Sequence, residues 1–136
     1  MIMSERDERG QAVSLFVVLI IGALIMTAGL VIDGGQKVAA ASRSEAAAAG
    51  ASRAAGNAAA TAELGGSDPV GPAVTAARQY LAGQPGVSGS VSVANGIVTV
   101  TTSASEPTIF LAALGINQVT GRGSAAANIV PTGASR

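Results

Sequence analysis

The side chains that could do chemistry in this chain are few. Asp68 and Glu106 stand in stretches that read as loops, and two carboxylates brought together could act as general acid and base. Solvation or capping is the other use such residues find. The chain has no His and no Cys. A Ser/His/Asp set therefore cannot exist, the commonest proton shuttle and metal ligand is missing, and disulfides and thiolate metal sites are excluded. Gly121-Arg122-Gly123-Ser124 is Gly-rich but fits neither a phosphate loop nor a dinucleotide fingerprint. Gly34-Gly35 follows an apolar run and not a strand, which weakens a phosphate cradle there as well. The expectation is a non-catalytic protein without metal or cofactor, and an anchored enzyme using Asp68 or Glu106 is the minority reading.

Composition narrows the classes further. Net charge is zero and only 12% of the 136 residues are charged, so there is no basic stripe for nucleic acid. Phe16, Tyr80 and Phe110 are the only aromatics, which argues against base-stacking platforms and against a large pocket for a small-molecule substrate. The missing cysteines leave an extracytoplasmic location open.

The elements that position these residues begin with a run from Ala12 to Ile32 that holds no charged side chain. About 20 apolar residues at ~1.5 Å each cross a bilayer core. The run is longer than the apolar part of a secretory signal, and Val31-Ile32-Asp33 fits a cleavage site poorly. We read an uncleaved anchor, or one cut on its N-terminal side. Arg6 and Arg9 precede the run and Lys37 and Arg43 follow it, so charge alone does not fix orientation. A short tail before the run and a domain after it favour the N-terminus inside. Gly22 and Gly29 lie close to one helix face, where small residues allow helices to approach in lipid; ordinary tolerance of Gly is the other reading. Asp33-Gly34-Gly35 marks the membrane exit. There Asp33 either meets the headgroup region or has a function of its own, and the Gly pair allows a kink.

Past the exit, Gln36 to Leu64 is Ala-rich with no Pro, which predicts a helix continuing the anchor. Gly50 and Gly56 each cost it about 1 kcal/mol. Its lack of large apolar side chains after Val38 means it must pack closely against something, either a partner or the chain's own sheet. Gly65 to Pro69 is a break. Val70 to Ala82 reads as a second helix with Val70, Val74, Ala77 and Leu81 on its inner face, ended by Gly83 and Pro85. Asn95-Gly96 between two β-rich runs predicts a type I′ hairpin. That turn pairs Ala94 with Ile97, Val93 with Val98 and Val91 with Val100, and it puts the valines on one face and Ser90, Ser92, Thr99 and Thr101 on the other. Pro107 to Gly115 reads as a short apolar helix, and Gln118 to Val130 as a third strand whose odd positions form a small-residue face suited to a close helix. The division expected is a cytoplasmic tail (1–11), a transmembrane helix (12–32), a helical stalk (33–66), a small extracytoplasmic α+β domain (67–130) and a flexible tail (131–136).

Arg9-Gly10-Gln11-Ala12-Val13-Ser14-Leu15-Phe16, the apolar span, and Gly29-Leu30-Val31-Ile32-Asp33-Gly34-Gly35 together resemble the N-terminal anchor of TadE/TadG-like proteins. These belong to the Tad (Flp, tight adherence) pilus apparatus and are common in actinobacteria. Ile97-Val98-Thr99-Val100-Thr101, then Pro107-Thr108-Ile109-Phe110-Leu111, Gly115-Ile116 and a final Ala-rich strand also follow that family's order. The resemblance implies a pseudopilin-like protein: a transmembrane helix, an Ala-rich helix and a pilin-like α+β domain with a three-stranded antiparallel sheet. It implies prepilin-type processing between Gly10 and Gln11, and partners among pilus-assembly proteins or pilins besides the lipid bilayer. Many relatives carry a glutamate five residues after the cut, where this chain has Leu15. That departure turns the expectation from a filament subunit towards an anchored accessory. A membrane-tethered envelope protein with an unrelated binding role is the alternative.

Overall fold

The computed structural model describes residues 5–129, with side chains from residue 10 onward. The tail expected over 131–136 lies outside the described residues. Helix α1 runs unbroken from Glu5 to Leu64, about 90 Å at ~1.5 Å per residue. It takes in the polar residues read as a tail from position 5 onward, and it continues through Gly34 and Gly35, so no break falls there. The two halves of this helix have different surroundings. From Val13 to Leu24 the large apolar side chains are all exposed, and the helix is long and apolar enough to cross a membrane. From Asp33 onward one face is covered. Asp33, Ala40, Ser44, Ala47, Ala48, Ala51, Ala55 and Ala59 are buried, and apart from the adjacent pair Ala47 and Ala48 their steps of three, four and seven residues make a single stripe along the helix.

What covers the stripe is the rest of the chain. Helix α2 spans Val70–Ala82 and packs on α1 through Ala73, Ala77 and Leu81. Val70, expected on the inner face, is exposed, and Ala73 takes the inner place. An Ala-lined helix lets its neighbour come close, and at that separation the contact row favours another Ala over a branched side chain. Tyr80 lies directly over Gly50, the one place where α1 gives up a side chain to α2.

Strands β1 (Val87–Ala94), β2 (Ile97–Pro107) and β3 (Gln118–Asn128) form an antiparallel sheet in the order β1-β2-β3. Asn95 and Gly96 both adopt positive φ, 51° and 74°, as a type I′ turn requires. The resulting register pairs Val91 with Val100, Val93 with Val98 and Ala94 with Ile97. Alternation then carries Val98, Val100, Thr102 and Ala104 inward. On β3, Gly121 and Gly123 lie against the backbone of α1, so that a methyl group on either would overlap Ala40 and Ala41 or Ser44 and Glu45. The core is thus a thin layer of alanines, with Val98, Val100, Leu81 and Ile129 as its larger members. A long apolar N-terminal helix, a second helix and a three-stranded antiparallel sheet laid on the first make an α+β fold in a pilin-like arrangement.

The segment between β2 and β3 departs from the expected helix over Pro107 to Gly115. Pro107 still belongs to β2, and the helical part is one 3-10 turn, Leu111–Leu114. Gly115 ends it with φ 87°, the left-handed cap that Gly favours. The apolar side chains of this segment do not join the core. Ile109, Phe110, Leu114 and Ile116 are all exposed, Leu114 to 75%.

Candidate functional site: a carboxylate-clasped apolar loop

Asp33 is the one buried charged residue among the described residues, only 1% exposed. Its partners lie more than seventy residues away in sequence. Oδ1 accepts a hydrogen bond from the backbone N–H of Ile109 at 2.8 Å, and Oδ2 accepts from Phe110 at 3.1 Å and Leu111 at 2.6 Å. These are N–H groups that a helical turn leaves without an internal partner at its start. Asp33 caps that turn from another element, and the headgroup reading of this residue gives way to a structural clasp. Burial pushes the carboxyl pKa up, but the N–H groups of Ile109, Leu111 and Phe110 more than offset it and hold the group below the usual carboxylate value.

The rest of the loop closes on itself. Thr108 N–H donates to the Asn117 carbonyl at 3.1 Å, its hydroxyl donates to the Ile116 carbonyl, and Ile116 N–H donates to the Leu111 carbonyl at 3.0 Å. Thr108 is buried and cannot serve as the cap, because its hydroxyl is engaged across the loop. Phe110 turns down onto α1, where its ring covers Gly29 so closely that a Cβ there would overlap it. Gly29 is therefore occupied by this chain's own loop, whereas Gly22 faces open space. The pair does not form a common free face for another helix. Ile25, Met26, Leu30, Asp33, Phe110 and Leu114 border an open, almost wholly apolar groove of about 450 Å³ between α1 and the loop.

The other singled-out residues fall elsewhere. Gly10 and Gln11 lie in the early turns of α1, with the Gly10 carbonyl accepting a bond from the Ser14 hydroxyl at 3.0 Å. Gly34 and Gly35 are exposed with nothing near them. Asp68 is exposed in the connection between the helices. Glu106, read as a loop residue, belongs to β2 and forms an ion pair with Arg43 of α1 at 2.5 Å. No hydrogen bond or ion pair joins Asp68 to Glu106 among the described residues. The Gly121 to Ser124 stretch lies in β3, as expected, and its glycines admit α1. Sequence reasoning passed over the polar seam between α1 and the sheet. The buried Thr102 hydroxyl donates to the Ser44 carbonyl at 2.7 Å, and the buried Ser44 hydroxyl donates to the Gly121 carbonyl at 3.0 Å.

No family model, curated protein or solved structure matches this chain.

Proposed function

We propose that this chain is a non-catalytic, minor pilin-like component of Tad/Flp-type pilus assembly or secretion. In this reading α1 holds it in the cytoplasmic membrane as a single pass, with the N-terminus inside and the sheet domain outside. The observation that carries the reading is the division of labour along one helix. Its first half offers exposed apolar side chains to lipid or to neighbouring helices, and its second half is the spine on which an antiparallel sheet is laid. The arginine-glycine start at Arg9-Gly10 and the aspartate-glycine exit at Asp33-Gly34 support the same family. Leu15 is exposed on an anchor segment that holds no carboxylate from Ala12 to Ile32. A neighbouring subunit's amino terminus would find no countercharge there, which favours a membrane-resident assembly factor over a major filament subunit.

Crosslinking in native membranes, followed by identification of the attached proteins, tests the proposal. Pilus-assembly proteins or pilins are the expected catch. Recovery of envelope proteins unrelated to that apparatus would overturn it in favour of a tethered envelope protein with another binding role.

A further inference from the structure

Leu81 and Ile129 are in the core, but most of the large apolar side chains that follow β2 lie on the outside of the sheet domain. Val98 and Val100 fill the core with alanines, while Ile109, Phe110, Leu114 and Ile116 face away from it. A patch of this kind marks a surface that meets something apolar. Its position says what. Phe110 sits over Gly29, four residues before Asp33, which is about 6 Å towards the anchor along the helix axis. The groove beside the loop reaches Ile25, a further four residues or about 6 Å lower. If Ala12 to Ile32 spans the bilayer, the loop tip lies below the level at which the helix leaves it.

The loop is built for such a place. From Pro107 to Gly121 there is no charged side chain; Glu106 and Arg122 flank the stretch. Backbone N–H groups exposed to hydrocarbon have no water to bond, and here those of Ile109, Phe110 and Leu111 are taken by Asp33, those of Thr108 and Ile116 by carbonyls of the same loop. With these donors engaged inside the protein, the loop can leave water without stranding them.

We propose that residues 108–117 form a second membrane contact. The loop dips into the leaflet next to the sheet domain, Ile109, Phe110, Leu114 and Ile116 touch acyl chains, and one acyl chain lies in the groove between the loop and Ile25, Met26 and Leu30. The inference rests on the anchoring reading of α1 and is independent of any role in pilus assembly.

The absence of native cysteines makes the test direct. Full-length chains carrying Leu114→Cys, Ile116→Cys, Leu19→Cys or Ser92→Cys are labelled with an environment-sensitive fluorophore. They are placed in phosphatidylethanolamine/phosphatidylglycerol vesicles with a nitroxide on the acyl chain or with a soluble quencher outside. Both loop positions are exposed, so neither change disturbs the core. The expected result is strong acyl-chain quenching at Leu114, Ile116 and Leu19, and quenching only from water at Ser92 on the outer sheet face. Quenching from lipid at Leu19 but from water at the loop overturns the inference and leaves the anchor standing. Loss of lipid quenching at Leu19 as well overturns both. A loop shielded from both quenchers, and opened when the protein is diluted with excess lipid, would assign the patch to a second copy and also overturn it.

Discussion

A carboxylate at the end of an apolar helix is ordinarily a solvated boundary, and Asp33 is not. It holds the first turn of a loop 76 to 78 residues further on, and the loop has no other charged side chain to hold it. Asp33→Asn keeps one acceptor oxygen but loses the charge that strengthens all of these bonds. The expected outcome is faster backbone hydrogen exchange at Ile109, Phe110 and Leu111, with Val98 and Val100 unchanged. The pH dependence has a defined sign. The folded pKa lies below the ordinary 3.8, so the clasp contributes in full above the unfolded value and is lost as pH falls through the lowered folded one. Exchange at these three amides, corrected for its intrinsic pH dependence, should stay slow through mildly acidic conditions and rise only below the usual carboxylate range. This role was not legible in the sequence, because nothing near Asp33 names its partner. The usable signal was indirect: Pro107 to Leu111 opens a helical turn whose only local cap, Thr108, stands beside a segment with no acid of its own.

Between elements, the decisive contacts are those that side chains leave empty. The hairpin was legible in full, because Asn95-Gly96 dictates the turn and a two-residue turn dictates the register. The third strand and its small face were legible for a similar reason, since period-two alternation puts Gly121 and Gly123 on one side. The helix expected over Pro107 to Gly115 shrinks to one 3-10 turn, because Pro107 still pairs in β2 and the N–H groups of Ile109, Phe110 and Leu111 turn to Asp33. Where α1 meets β3 the two backbones nearly touch, and the Ser44 and Thr102 hydroxyls stitch them together. Gly121→Ala forces them apart. It should destabilise the domain by about 1–3 kcal/mol, the usual range for overpacking, in denaturant titrations in detergent. The adjacent Thr120→Ala, on the outer face, should stay within about 0.5 kcal/mol of the parent.

At the scale of the molecule, the proposed family predicts that native protein begins at Gln11. Intact-mass measurement of the protein from its own membranes checks this, and a chain retaining residues 1–10 would remove prepilin-type processing from the proposal. Inside that question lies one about mechanics. The exposed apolar half and the spine of the sheet domain are one helix, with no linker between the segment flanking Ile32 and the stripe that starts at Asp33 and Ala40. Such a rod has no slack. A twist applied to the apolar half is passed to the sheet through one continuous helix, and the heading of the domain about the helix axis is set by residue count. One Ala inserted between Gly35 and Gln36 rotates everything beyond it by about 100° and lifts it ~1.5 Å. Asp33 would then face away from the loop that the sheet carries, and exchange at Ile109 to Leu111 should rise as it does in Asp33→Asn. Seven inserted residues, close to two full turns, restore the heading and leave the loop about 10 Å too high to reach its clasp.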